Sequence, residues 1–100
     1  MKTWQKKLVT IVTEKILEDD LTEHLKKLQV KGFTITDARG EGTRGVRSAS
    51  WDQSANIRIE AVCDEKIAEK VCVFLQENFS DHYAMIIYVS DVMTLRNDKF

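Results

Sequence analysis

The sequence of 100 residues contains no proline and only four glycines. These two residue types interrupt helices and strands most strongly, so most of the chain is free to form regular structure. All four glycines fall between Gly32 and Gly45. Their concentration predicts a single segment in which the backbone departs from helix and strand, and that segment is the first place to look for function.

Cysteine and histidine are also scarce. Cys63 and Cys72 are the only cysteines, too few for a disulfide framework and further apart than the usual pairs of zinc ligands. Only His24 and His82 could complete a zinc site. We therefore expect no metal, two buried structural thiols, a boundary position for His24 on a helix, and a reduced, cytoplasmic protein.

The chain lacks both an excess of one charge and a long apolar run. It carries 15 basic and 16 acidic residues, and its pI of about 6.1 argues against a protein that coats nucleic acid. No apolar run approaches the roughly 20 residues that cross a bilayer, and residues 1–7 do not resemble a secretory signal. The composition and length predict one globular domain over residues 1–100, without membrane insertion.

The first half of the chain predicts a strand, a helix and a second strand. Leu8–Val12 reads as a mostly buried strand. A helix follows, because leucines then recur at spacings of four, four and three. These helix positions are Leu17, Leu21, Leu25 and Leu28. Gly32 is the expected C-terminal cap, and Phe33–Ala38 alternates as a short second strand.

The second half repeats a strand, helix and strand order. Ala55–Val62 alternates cleanly, with its isoleucines on one face. Asp64 is the expected N-cap of a second helix, whose apolar positions follow a period of 3.6 residues. These positions include Ile67, Ala68, Val71, Cys72, Phe74, Leu75 and Phe79. The last strand, Tyr83–Val89, is apolar on both faces.

The resulting order, βαββαβ, predicts an α+β fold of the ferredoxin-like type, with an antiparallel sheet and both helices on one side. The last strand of that topology lies at a sheet edge. Because it is apolar on both faces, one apolar face would stay exposed to water in an isolated subunit. We therefore expect an oligomer that forms through the open face or edge of the sheet.

The connection between the second and third strands, residues 39–54, has no regular period and is long for a compact domain. Its first part combines glycines, which expose backbone N–H groups, with arginines that match phosphate oxygens in pairs. The residues with this chemistry are Gly40, Gly42, Thr43, Arg44 and Arg47. A small anion, such as a nucleotide phosphate, suits the pattern, although a solvated loop without a specific role would show it too. Neither a Walker loop nor a dinucleotide fingerprint is present.

Three segments together resemble the PII-like signalling proteins, most closely the SbtB and carboxysome-associated branch. They are Lys7–Leu17, Lys31–Thr34 and Gly40–Ser48, and the resemblance extends from Lys7 to about Val92. It implies a homotrimer with three clefts between subunits that bind AMP, ADP, ATP or cyclic AMP, with bicarbonate as a further ligand. The long connection, the T-loop of the family, would change its order with the ligand and contact a bicarbonate transporter or carboxysome-related partner. The output is regulation of inorganic-carbon uptake, not enzymatic turnover.

The resemblance also implies the residues of the nucleotide site. The phosphate cradle would be Gly40, Gly42, Thr43, Arg44 and Arg47. The base and ribose would be bordered, largely through backbone groups, by Tyr83, Ala84, Met85, Ile86 and Ile87. Two positions depart from the family pattern: Glu41 stands where a lysine is expected, and Met85 where a glycine is expected. The Cys-Gly-Pro-type tail of many SbtB relatives is absent, so we expect no redox-switched C-terminal segment.

Other functions remain open at this point. A trimeric metal-binding protein of the CutA type would share the fold and would show metal-dependent stabilisation. An assembly module with no small ligand is a third reading. Trp51 would suit a partner anchor or simple packing. Glu18, Asp19 and Asp20 look like a catalytic cluster, but the helix dipole accounts for acidic residues at a helix start.

Overall fold

A computed structural model of the chain describes residues 1–40, 55–98 and 100. Seven elements follow one another in these ranges. They are β1 (Trp4–Glu14), a 3-10 turn (Lys15–Leu17), α1 (Glu18–Lys27), β2 (Thr34–Ala38), β3 (Asn56–Cys63), α2 (Glu65–Asn78) and β4 (Met85–Thr94). Neither helix in the described part of the chain is long and apolar enough to cross a membrane.

The four strands form one antiparallel sheet in the order β2-β3-β1-β4. Val9 at the centre of β1 is paired with Ala61 of β3 on one side and with Val89 of β4 on the other. This arrangement confirms the predicted ferredoxin-like fold and the edge position of the last strand. It places the N-terminal strand in the middle of the sheet.

The hydrophobic core lies between one face of the sheet and both helices. Alternate residues of β1 and β3 face the helices, because the register pairs odd-numbered positions on both strands. The predicted leucine face of α1 and the apolar stripe of α2 cover them. The most buried members of the core are Val9, Ile11, Leu21, Leu25, Ile57, Ile59, Val71 and Leu75. The opposite face of the sheet has no helix over it in the described part of the chain.

The first strand is longer than the apolar pattern predicted. It begins at Trp4, where its pairing with Thr94 of β4 starts, and the two lysines near its start have acidic partners. Lys6 Nζ donates to Asp64 Oδ1 at 2.6 Å, and Lys7 Nζ donates to Asp91 Oδ1. Asp64 is the N-cap residue of α2 as predicted, but its side chain makes no cap hydrogen bond and instead accepts from Lys6.

The prediction that Gly32 caps α1 is wrong. The helix ends at Lys27, and Gln29 adopts the left-handed conformation with φ of 71°. The Val30 N–H donates to the Leu25 C=O at 3.0 Å, which is the hydrogen bond of a Schellman motif. Gly32 has no positive φ and lies three residues beyond Gln29. The turn after α1 therefore contains a glutamine in the left-handed conformation, which residues other than glycine disfavour.

The last strand begins two residues later than predicted and continues to Thr94. Tyr83 belongs to the turn after α2, where its N–H donates to the Phe79 C=O at 3.1 Å. The prediction that the strand is apolar on both faces is confirmed: Ile87 faces the helices, whereas Ile86 and Tyr88 face the open side. Ile86 is 60% exposed and Tyr88 48% exposed.

Candidate ligand-binding site

One end of the sheet brings together the parts of the chain that the sequence connects with ligand binding. The register pairs Ala38 at the end of β2 with Asn56 at the start of β3, and Asn56 in turn with Glu14 at the end of β1. On the other side, Thr13 is paired with Met85 at the start of β4. Gly40 and residues 83–85 therefore lie at the same end of the sheet as the end of β1.

The residue before β4 is held by two side chains of β1. The Ala84 N–H donates to Glu14 Oε2 at 3.1 Å, and Thr13 Oγ1 donates to the Ala84 C=O at 2.8 Å. Thr13 is 1% exposed, so its hydroxyl has little access to water as an alternative partner. Both polar groups of Ala84 are thus bonded by neighbouring residues of one buried strand.

Lys15, directly after β1, makes contacts on the other side of this sheet end. Its N–H donates to the Ala55 C=O at 2.8 Å, which fixes the residue that precedes β3. Its Nζ lies 3.7 Å from Asp37 Oδ1 on β2. Both groups of that ion pair are well exposed, so we regard it as a weak contact.

The predicted phosphate-binding residues are described only in part. Gly40 follows β2 and is exposed, and an added Cβ there would meet no heavy atom within 4 Å. The other predicted members of the cradle lie outside the described residues, as do Glu41 and Trp51. These members are Gly42, Thr43, Arg44 and Arg47.

The predicted base and ribose segment, residues 83–87, is described completely. Tyr83, Ala84, Met85 and Ile87 are half-buried, and Ile86 is exposed. The Met85 side chain is on the helix side of the sheet and packs against the hydrophobic core. A residue that departs from the expected glycine is therefore accommodated by the protein's own core.

Within one chain Gly40 and the segment 83–87 are on opposite edges of the sheet. Gly40 follows β2 and the segment 83–87 begins β4, and two strands separate these edges. At a strand spacing of about 4.8 Å, the edges are about 14 Å apart.

Charge differs between the two sides of this sheet end. Arg39 follows β2, Arg58 lies near the start of β3, and both are exposed. The carboxylate of Glu14 instead lies against the backbone of Ala84. The β2 and β3 side of this sheet end therefore carries Arg39 and Arg58, together with Asp37, which pairs with Lys15.

Thr13 and Glu14 were not predicted as site residues, although both belong to a run that carries the family resemblance. Their partner is a backbone group some 70 positions later in the chain. The available signal was two polar residues at the end of an otherwise apolar strand. That signal indicates a polar contact at the strand end but does not identify its partner.

The cysteines and histidines do not gather into a metal site in the described part of the chain, where no group of three His, Cys, Asp or Glu side chains could hold an ion. Cys63 and Cys72 are free thiols. Burial raises the pKa of Cys63 to about 11 and also raises the pKa of the half-buried Cys72. His24 occupies the expected boundary position, with its ring 4.6 Å from that of Phe74 and its Nε2 3.3 Å from Asp20 Oδ1.

Comparison with known proteins gives a consistent result. The profile of the family described as Nitrogen regulatory protein P-II matches residues 6–99. A PII-like signalling protein from Thermus thermophilus is 47% identical, with a TM-score of 0.84 over 100% of this chain and 99% of that chain.

Structures of the PII-like protein CPII from Thiomonas intermedia are also similar. One, bound to ADP, AMP and bicarbonate, is 25% identical with a TM-score of 0.80, over 96% of this chain and 99% of that chain. Another, bound to ADP, AMP and acetate, is 25% identical with a TM-score of 0.85, over 100% of this chain and 98% of that chain.

Proposed function

The chain belongs to the P-II family of nitrogen regulatory proteins, and from this premise we propose that it is a homotrimeric PII-like signalling protein that binds an adenine nucleotide. The binding sites are clefts between neighbouring subunits, and bicarbonate is a second ligand. The observation that carries this proposal is the similarity over nearly the whole chain to a PII-like protein bound to ADP, AMP and bicarbonate.

The geometry of the sheet end supports a cleft between subunits. The predicted phosphate cradle begins at Gly40 on one edge, and the predicted base and ribose segment 83–87 lies on the opposite edge. The remaining cradle residues, Gly42, Thr43, Arg44 and Arg47, complete the phosphate site in this proposal. One subunit contributes the cradle to a nucleotide and its neighbour contributes the segment before and within β4.

The distribution of charge supports one orientation of the nucleotide. The phosphates lie toward the cradle, where Arg39 and Arg58 add positive charge. The base and ribose lie toward Ala84 and the start of β4. This orientation agrees with the roles that the family resemblance implies for the two groups of residues.

The biological output is regulation, without enzymatic turnover. In this proposal the single domain over residues 1–100 acts in the cytoplasm, and its T-loop, residues 39–54, transmits the ligand state. The partner is a bicarbonate transporter or a carboxysome-related protein, as in the SbtB branch. Inorganic-carbon uptake is then the regulated process.

Isothermal titration calorimetry with AMP, ADP, ATP and cyclic AMP, with and without bicarbonate, tests the proposal. We expect micromolar binding of one nucleotide per subunit and an affinity that rises with bicarbonate. No heat with any of the four nucleotides would overturn it. A thermal-shift panel of divalent metals serves as the parallel arm, because a metal-binding protein of the CutA type would be stabilised by the metal alone.

A paired variant tests the phosphate cradle. Arg44→Ala with Arg47→Ala removes two charge-assisted partners of the phosphates, so we expect at least a hundredfold loss of nucleotide affinity, about 3 kcal/mol. Arg96→Ala is the matched control, because Arg96 pairs with Asp98 beyond the opposite end of β4. Unchanged affinity in the double variant would exclude these arginines from the site.

A further inference from the structure

We propose that Thr13 and Glu14 are positioning residues that hold the nucleotide-contacting segment 83–87 in its binding conformation. This inference rests on the proposed nucleotide-binding function and extends it to two residues of β1. Neither residue needs to touch the ligand. They act through the backbone of Ala84: Thr13 donates to its C=O, and Glu14 accepts from its N–H.

The position of Ala84 explains why it needs such a support. It follows the turn after α2, whose last hydrogen bond is from the Tyr83 N–H to the Phe79 C=O, and it precedes Met85, the first residue of β4. Ala84 is therefore in neither the helix nor the strand. The side chains of Thr13 and Glu14 replace the backbone partners that either element would have provided.

The two supports differ in chemistry but act on the same residue. Thr13 is almost fully buried, and its hydroxyl donates a hydrogen bond of 2.8 Å to the Ala84 C=O. Glu14 is half-buried and accepts from the Ala84 N–H with a charged oxygen, a stronger acceptor than a neutral one. Together they fix the peptide groups on both sides of Ala84.

Fixing these peptide groups matters for binding because the segment is proposed to contact the ligand largely through its backbone. The apparent affinity of a site falls in proportion to the fraction of molecules that have the competent conformation. If loss of one support reduces that fraction to about one tenth, nucleotide affinity falls about tenfold. The fold as a whole would remain, since Ala84 belongs to neither the helix nor the strand and the apolar core residues are unchanged.

Four variants separate positioning from general stability. Thr13→Val removes the hydroxyl while keeping the shape, and Thr13→Ser restores the hydroxyl. Glu14→Ala removes the acceptor, and Glu14→Gln restores a neutral one. Val9→Ala is the matched control, because Val9 is equally buried on the same strand and is paired with Val89, five residues beyond Ala84. The wild type and all variants are compared at a temperature at which each is fully folded.

Two measurements decide the inference: the hydrogen-exchange rate of the Ala84 amide by NMR, and the affinity for ADP by calorimetry. We expect Thr13→Val and Glu14→Ala to accelerate exchange at Ala84 and to weaken ADP binding about tenfold. Thr13→Ser and Glu14→Gln should recover most of both. Val9→Ala should lower the melting temperature and leave the ADP affinity within a factor of two.

Three results would overturn the inference. Unchanged exchange at Ala84 in Thr13→Val and Glu14→Ala would show that the two side chains do not hold this segment. Faster exchange with wild-type affinity would show that holding it does not matter for binding. An equal loss of affinity in Val9→Ala would assign the effect to stability. If the wild type binds no nucleotide, the proposed function fails, and the exchange rate still decides whether the two side chains hold Ala84.

Discussion

The two edge strands of the sheet differ in length and in what they expose. β2 is five residues long, and its exposed positions, Thr34, Thr36 and Asp37, are polar. β4 is ten residues long and exposes apolar side chains on both faces. These side chains are Ile86, Tyr88, Val89 and Met93. A short polar edge is protected against pairing with another chain, whereas a long apolar edge is not.

The difference indicates which side of the subunit serves assembly. β2 is suited to remain an edge in water and leads into the connection that carries the predicted cradle. β4 is suited to be covered, and the open face beside it continues the apolar surface with Leu8 and Val12 of β1. A homotrimer that uses β4 and the open face would account for both observations.

The largest effect should be on the oligomeric state and should come from a charge placed on β4. Tyr88→Glu puts a carboxylate in the apolar open face, and we expect the assembly to fall from the mass of three chains to the 11.5 kDa of one. Thr36→Glu is the control on β2, since Thr36 is exposed and faces the same side. Sedimentation velocity at micromolar concentration measures both. A trimeric Tyr88→Glu variant, or a monomeric wild type, would contradict this use of β4.

The central strands should contribute more stability than the β2 edge. Ile59 of β3 is fully buried, so Ile59→Ala should lower the free energy of unfolding by about 2–5 kcal/mol. Ile35 of β2 pairs with Ile59 but is half-buried, so Ile35→Ala should cost roughly half as much. Denaturant unfolding at one fixed protein concentration gives both values. Equal losses would show that β2 is as integral to the core as β3.

The connections that lead into the two edges also differ. Gln29, in the connection to β2, has a positive φ, so Gln29→Gly should raise the free energy of unfolding by about 0.5–1 kcal/mol. Gln76, an exposed residue within α2, is the matched position where Gln→Gly should lower it by about the same amount. Thermal and denaturant unfolding report the sign. A loss of stability in Gln29→Gly would refute the strain assigned to this turn.

The smallest effect on the free energy of unfolding should come from the ion pair between Lys7 of β1 and Asp91 of β4. Lys7 lowers the pKa of Asp91 below its ordinary value through a hydrogen bond and charge. The pair therefore stabilises the folded state above the unfolded Asp pKa, about 3.9, and this contribution is lost as pH falls through the lower, folded pKa. We expect the stability difference between wild type and Asp91→Asn to shrink on acidification below about pH 4.

A double-mutant cycle isolates that ion pair. In the Lys7→Met background, Asp91→Asn should produce a much smaller acid-dependent difference in the free energy of unfolding, because only the weaker hydrogen bond from Gln5 then lowers the pKa of Asp91. Unfolding curves between about pH 6 and pH 2.5 at constant ionic strength provide the measurement. A difference as large as in the Lys7 background would contradict the leading role of Lys7.

The sequence predicted the order of elements and most of the core because these depend on local periodicity. The leucine spacing of α1 and the alternation around Ile57 and Ile59 are visible without the fold. The start of β1 was not predicted, because Lys6 and Lys7 interrupt the apolar pattern. Their partners, Asp64 and Asp91, are distant in sequence.

Details of turns and of the site were harder to predict. Gly32 was a reasonable cap by residue type, but α1 ends at Lys27 and Gln29 has the left-handed conformation. Within the candidate site, glycines and arginines signalled a cradle. The supports of Ala84 could not be foreseen, because they require the register between β1 and β4.

The central position of β1 has a consequence for how the protein is made. β1 must wait for β3 and then for β4 before both of its edges are paired. Such long-range pairing slows folding relative to a helical bundle, and the native sheet can be completed only after β4 has been synthesised. Because β4 also completes the apolar open face, subunits gain that surface only after β4 has been translated.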